Sequence, residues 1–308
     1  MAFDLYFAGA GDKPVIDFKF ENSTNQLLSQ LNERSSIINW IENMKNSNKK
    51  CKLFIDSGAW SAHSKGKEVN IDDYIKYLNL YDEYFYIYAE LDKIPGEFRK
   101  PKTVEQKLEA PEISWKNYLY MKDKVKSRDK LLPVFHQGED YKWLKNMLEY
   151  KHEDTGKSIP YIGISPANDS SISGKIAFID KCFDIIKNSS NPNVKTHAFG
   201  MTSLDILEQY PFTSADSTSY LMSAINGNIM TKYGCLNVSE RRLSKDNMRF
   251  LKDKDLLDSV VNKYGFTLDE LASDVSKRTI YNIKYLLDWC NNYVYKPAKI
   301  KQKKLFEI

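Results

Sequence analysis

The chain of 308 residues has no apolar run approaching the roughly 20 residues that a membrane span needs, and no span is expected. Its N-terminus lacks a basic stretch followed by an apolar one, so no signal peptide is expected either. Cysteine is scarce: Cys51, Cys182, Cys235 and Cys290 lie far apart, there is no C-x-x-C pair, and no histidine follows His197. A zinc site built from clustered Cys and His has no support in that spacing. Widely separated thiols fit a reduced, cytoplasmic setting. An excess of one charge is also missing, because the formal net charge is only +4.

Charged residues make up 28% of the chain and aromatics 13%, including 20 tyrosines, which fits a globular protein and argues against disorder. The length allows one large domain with an appendage. One stretch organises the rest, Lys52-Leu-Phe-Ile-Asp-Ser-Gly-Ala-Trp-Ser-Ala-His-Ser-Lys-Gly66. Leu53 to Ile55 has the length and type of a buried strand. It ends on Asp56, and Ser57-Gly58 then lets the backbone turn sharply. An acid at the end of a buried strand is costly to leave without a partner. In parallel barrels, that end carries catalytic groups.

Further strand-like runs end similarly. Phe3 to Phe7 leads into Gly9-Ala-Gly11, read as a tight turn; Tyr84 to Asp92 ends on acids; Leu131 to His136 is followed by Gln137 and Gly138. Tyr161-Ile-Gly-Ile-Ser165 contains Gly163, Val194 to Phe199 carries His197, and Phe212 to Asp216 again ends on an acid. Helical spacing is read over 24–46, with Ser35 as a cap of its second half, and over 71–82, 103–127, 140–150, 204–210 and from 172 onward. Ile229 and its neighbours read as a last, weak strand. This alternation predicts an α/β chain, a TIM (β/α)8 barrel over 1–240, with a doubly wound open sheet as the alternative. Residues 241–308 read as a helical C-terminal extension. It has helices over 244–263 and 267–290, Thr267 as a cap, and a basic tail in which Lys296, Lys299, Lys301, Lys303 and Lys304 fall within nine residues. The tail has two readings, a solvated end or a phosphate contact. The Thr267–Ile280 stretch has the outline of a helix-turn-helix, but its spacing is too short and it is read as ordinary helix packing.

Taken singly, each polar strand end has a structural reading as a cap, a satisfied amide or a buried histidine. Six motifs in order add to this: Asp56-Ser-Gly-Ala-Trp-Ser, Glu90-Leu-Asp-Lys-Ile-Pro-Gly96, Pro133-Val-Phe-His-Gln-Gly-Glu139, Ile162-Gly-Ile-Ser165, His197-Ala-Phe-Gly200 and Ser214-Ala-Asp-Ser-Thr-Ser219. Together, over residues 3–220, they resemble the tRNA-guanine transglycosylase superfamily. The likeness is greater to its phage and bacterial DpdA-type members, which put 7-deazaguanines into DNA. The resemblance implies a TIM barrel and a base exchange in which guanine leaves the sugar and a 7-deazaguanine such as preQ0 replaces it. By position it makes Asp216 the nucleophile and Asp56 the acid/base, with Asp92, Gln137 and Gly163 as purine-reading groups. Ser57, His136 and His197 join these as candidate substrate-binding residues, and Trp60 and Phe199 as rings that could stack on the base.

The chemistry of the residue types agrees. Breaking an N-glycosidic bond builds positive charge at C1′, which a carboxylate can stabilise and trap. A second carboxyl protonates the departing base and later takes a proton from the incoming one. The bond energy is kept in the sugar ester, so no cofactor is expected. The tRNA enzymes carry a zinc site behind the nucleophile. Here only Cys235 lies in that region, so no metal is expected and DNA is favoured over tRNA. A guanine inside a stacked duplex is out of reach, so it must be single-stranded or flipped out. Arg241, Arg242 and the Lys299, Lys301, Lys303 and Lys304 tail are the candidate phosphate contacts. The alternatives are the same chemistry on tRNA and a barrel that binds nucleic acid or a purine without exchange.

Overall fold

The computed structural model describes residues 3–201, 203–239 and 259–297. Nine parallel strands form one sheet: β1 (Asp4–Ala8), β2 (Asn25–Ser29), β3 (Leu53–Asp56), β4 (Phe85–Ala89), β5 (Leu131–Leu132), β6 (Val134–His136), β7 (Tyr161–Ser165), β8 (Lys195–Ala198) and β9 (Ser214–Ser217). Their spatial order is β5-β4-β3-β2-β1-β9-β8-β7-β6. The two outermost members, β5 and β6, are halves of one strand divided at Pro133. Proline has no N–H to give to a ladder, which explains the division. Leu131 and Leu132 pair with Tyr88 and Ala89 of β4, whereas Val134 to His136 pair with Gly163 to Ser165 of β7. The sheet therefore closes on itself as an eight-position α/β barrel of the TIM type.

Glu90 seals the seam at Pro133. Its backbone N–H donates to Leu132 O (2.9 Å), and its side-chain Oε1 accepts from the N–H of Val134 (2.8 Å), the next residue beyond the break. The carboxyl is buried, and desolvation holds its pKa well above the usual carboxylate range, against the opposing Val134 N–H.

Between the strands run α1 (Lys13–Glu21), α2 (Arg34–Lys45), α3 (Ala59–Ser64), α4 (Ile71–Leu80), α5 (Val104–Lys122), α6 (Lys142–Glu149), α7 (Ile172–Lys187), α8 (Leu204–Gln209) and α9 (Ser219–Ile225). The barrel interior is filled by Tyr6, Phe54, Ile87, Ala89, Leu132, Val134 and Tyr161, with Leu27 and Phe199 against them. A larger apolar layer lies between the strands and the helices.

Two expectations need correction, and the expected strand at Ile229 is present but apart from the barrel. Residues 24–46 are not helical throughout, because Asn25–Ser29 is strand β2. Its adjacent leucines face opposite ways, Leu27 into the barrel and Leu28 into the outer layer, as the alternation of a strand requires. Ser35 lies inside α2 and does not cap it; Glu33 is the N-cap position. The strand at Ile229, β10 (Asn228–Thr231), pairs antiparallel with β11 (Gly234–Asn237) and lies outside the barrel.

Thr267 does cap a helix, α10 (Leu268–Ser273), with a reciprocal bond between its N–H and Glu270. The 267–290 helix is interrupted at Asp274, which caps α11 (Val275–Asn291). Helix α11 is joined to the barrel by buried polar groups. Asn282 accepts from Met230 N (2.6 Å) and donates to Tyr220 O (2.9 Å), and Arg278 donates to Ala224 O (2.9 Å).

Candidate active site

Asp56 ends β3 two residues after the inward-facing Phe54, so it lies on the same interior side at the C-terminal rim. The chain then turns through Gly58 at φ +80°. A Cβ there would fall 2.6 Å from Leu31 Cβ and 2.8 Å from Ser29 Oγ. Glycine is thus required twice, by the left-handed backbone and by the close approach. The turn brings Gly58 N–H to Asp56 Oδ2 (2.9 Å). Despite that bond the carboxyl is pushed up to about 7. Desolvation is the main cause, and the nearby charges of Asp92, Asp216 and Glu33 add to it.

Asp216 lies on β9 two residues after Ser214. Its Oδ1 accepts Gly200 N–H (2.8 Å) and faces His197 Nε2 (3.2 Å). Both contacts fall on the same oxygen, and Oδ2 has no hydrogen-bond partner among the described residues. Behind it runs a buried chain of hydrogen bonds: His197 Nδ1 meets Ser214 Oγ (2.5 Å), which meets Tyr161 OH (2.6 Å). If Tyr161 donates to Ser214 and Ser214 to Nδ1, the proton of a neutral imidazole falls on Nε2, pointing at Asp216. The ring is fixed by Phe54, Phe199 and Tyr6, with centroids at 4.7, 4.6 and 5.8 Å.

The third acid, Asp92, follows β4. Its Oδ2 lies 3.2 Å from His136 Nε2, close enough for an ion pair though off the line of a hydrogen bond. Burial alone would lower the His136 pKa, but Asp92 and Glu139 reverse this and raise it. Glu139 is itself raised by burial, and its Oε2 accepts the His136 N–H (3.2 Å). The mouth therefore gathers Asp56, Asp92 and Asp216, with Glu33 and Glu139 close by. Such a site favours a ligand rich in N–H donors or one that develops positive charge.

The other expected base-binding residues are placed differently. Gln137 accepts Ala167 N–H (3.0 Å) and donates to Ser170 Oγ (3.1 Å) and Gly174 O (3.3 Å). Its amide holds the loop after β7, which leaves it a positioning role. Gly163 N–H is spent on Pro133 O (2.8 Å), and a Cβ at Gly163 would fall 2.5 Å from the Phe199 ring. That glycine makes room for Phe199 and does not offer an amide to a base. Ser57 is buried; its Oγ accepts Ala59 N–H (3.3 Å) and its carbonyl accepts Gln30 Nε2 (3.1 Å). His197 is fully buried, with its two ring nitrogens on Ser214 and Asp216. The expected phosphate contacts Arg241, Arg242, Lys299, Lys301, Lys303 and Lys304 lie outside the described residues.

Tyr161, Ser214, the Gly200 N–H, Glu33 and Glu139 are not picked out by the sequence as parts of the site, whereas His197 is, in another role. A signal for two of them exists, since Ser214 precedes Asp216 by two residues on one strand face and Tyr161 precedes Gly163 likewise. Cys235 lies exposed on β11, and no group of three His, Cys, Asp or Glu among the described residues is set to hold a metal ion. No known family model matches the chain, and no curated protein matches it.

Proposed function

We propose that the protein is a base-exchange transglycosylase that replaces guanine in DNA with a 7-deazaguanine. The observation that carries this reading is the pairing, in one barrel mouth, of a carboxyl pushed up to about 7 with a carboxylate anchored through a single oxygen. Asp216 Oδ2 attacks C1′ and forms a sugar ester as the C1′–N9 bond breaks toward the base. Asp56, protonated, gives its proton to the departing guanine and becomes a carboxylate. It then takes the N9 proton of the incoming base, whose nitrogen attacks C1′ and releases Asp216. Asp92, beside His136, accepts hydrogen bonds from the N–H edge of the purine. The target nucleotide enters from a single strand or is flipped out of a duplex.

The test is incubation of the full chain with labelled guanine and, in parallel, single-stranded DNA, duplex DNA and tRNA. Label entering DNA supports the reading. Label entering tRNA alone moves the same chemistry to tRNA. No label in any polymer, with purine or nucleic acid still bound, leaves a binding barrel. Asp216→Asn should reduce exchange by at least about a thousandfold while retaining binding.

A further inference from the structure

Beside the acidic mouth lies a cleft of about 610 Å³ between α3, the loop 65–71 and the loop after β4. Asp92 forms part of its wall, so the cleft is continuous with the mouth. Its wall carries charges of both signs, Lys67 and Lys93 with Glu68, Asp92 and Glu97. Lys67 in the wall, and Arg99 and Lys102 at the rim beside the lining residues Phe98 and Gly96, are exposed and have no carboxylate partner among the described residues. Two further lysines here, Lys93 and Lys100, are neutralised by Glu68 and Glu97. Lys102 packs along the loop tip, its Cγ 3.2 Å from where a Cβ on Gly96 would be. Rings accompany the charges. Trp60 is 55% exposed and meets Phe98 edge-on at 6.0 Å, while the Arg99 guanidinium lies 5.1 Å from the Phe98 centroid. Arg99 holds a left-handed backbone (φ +62°), unusual for a long side chain. His63, against both rings, has its pKa lowered, first by burial and then by Lys102 and Lys93. With Lys93 and Lys100 paired to Glu68 and Glu97, the cations left without a partner are Lys67 in the wall and Arg99 and Lys102 at the rim.

Unpaired cations beside an exposed and a half-buried ring, along the rim of a groove leading to a site, suit a single-stranded polynucleotide. Phosphates find the cations and bases stack on the rings regardless of sequence. A free purine would need only the mouth, and a membrane surface would not reach into a cleft. We infer that this cleft carries the single strand next to the target nucleotide, with phosphates on Lys67, Arg99 and Lys102 and a flanking base against Phe98 and Trp60. The inference rests on the exchange reading for the identity of the target, but not for the binding itself.

Fluorescence anisotropy with a labelled single-stranded DNA of about twelve nucleotides tests it, using the full chain over a salt series. A matching RNA strand separates the two polymers. The combined Lys67→Ala, Arg99→Ala, Lys102→Ala variant should bind more weakly, with the slope of log affinity against log salt reduced by about 2, roughly 0.7 for each phosphate no longer neutralised by a cation. Phe98→Leu keeps the apolar bulk but removes the ring, and should weaken binding by about 5- to 100-fold. Melting temperatures of both variants monitor the fold. Asp216→Asn serves as comparator, since it should lose exchange while binding like the wild type. Unchanged affinity and salt slope in both cleft variants, or no binding by the wild type, overturns the inference. Guanine exchange by the wild type together with an unaltered salt slope removes the cleft and leaves the exchange reading. Binding through the cleft with no exchange on any polymer does the reverse.

Discussion

Burial and three neighbouring acids raise the proton affinity of Asp56, whereas Asp216 has a backbone N–H and an imidazole on one of its oxygens. In the proposed exchange the same residue type serves two tasks, proton transfer and attack. Because the first step needs Asp56 protonated, kcat/KM for guanine release should fall as pH rises through about 7, as a pH–rate profile would show. Stability should respond in the same window. The folded pKa of Asp56 is above its ordinary value of 3.8, so the wild type loses stability as pH rises from about 4 to above 7. Asp56→Asn has no such loss. It should be inactive yet more stable than the wild type at about pH 8, by about 1–4 kcal/mol, with the gap closing near pH 4 in urea titrations. His197→Ala removes one of the two partners of Asp216 Oδ1. It should lower kcat by about 10- to 100-fold and leave KM for the polymer little changed.

Three local devices position these groups: the Gly58 turn after β3, the strand divided at Pro133, and the space that Gly163 leaves for Phe199. Glu90 can be tested at the seam. Glu90→Gln keeps an acceptor for Val134 N–H and should fold normally, whereas Glu90→Ala leaves that N–H without a partner and should cost about 1–3 kcal/mol in denaturant unfolding. Gly163→Ala drives a methyl into the Phe199 ring and should destabilise by a similar amount, about 1–3 kcal/mol. At this scale the sequence was informative wherever an apolar run ended on an acid, as at Asp56, Asp92 and Asp216. It misled at Asn25–Ser29, where two adjacent leucines serve opposite faces of a strand and imitate a helical stripe. Gln137 and His197 illustrate another limit. Their residue types suited contact with a base, but partners distant in sequence, Ala167, Ser170 and Asp216, engage them instead.

Over the whole molecule, barrel closure brings strand ends from residues 56, 92, 136 and 216 to a single mouth. The alternation of strand and helix predicted this architecture, because each parallel crossover requires a helix. It did not reveal that the β10–β11 hairpin and α11 close over α9 through buried Asn282 and Arg278, since those bonds join residues more than fifty positions apart. No helix among the described residues is long and apolar enough to cross a membrane. The rim holds an acidic mouth and, beside it, a cleft of mixed charge edged by Trp60, Arg99 and Lys102, where the proposal places the reacting base and its strand.

The central claim is that Asp216 captures a sugar of DNA at C1′ while Asp56 handles the proton of the base. Intact-mass measurement of the protein, mixed with a guanine-containing single-stranded DNA and quenched in acid denaturant, addresses it most directly. The account predicts an adduct equal to protein plus oligonucleotide minus guanine, mapped to Asp216 by peptide sequencing and missing from Asp216→Asn. An adduct on another residue, or guanine exchange that persists in Asp216→Asn, would contradict it.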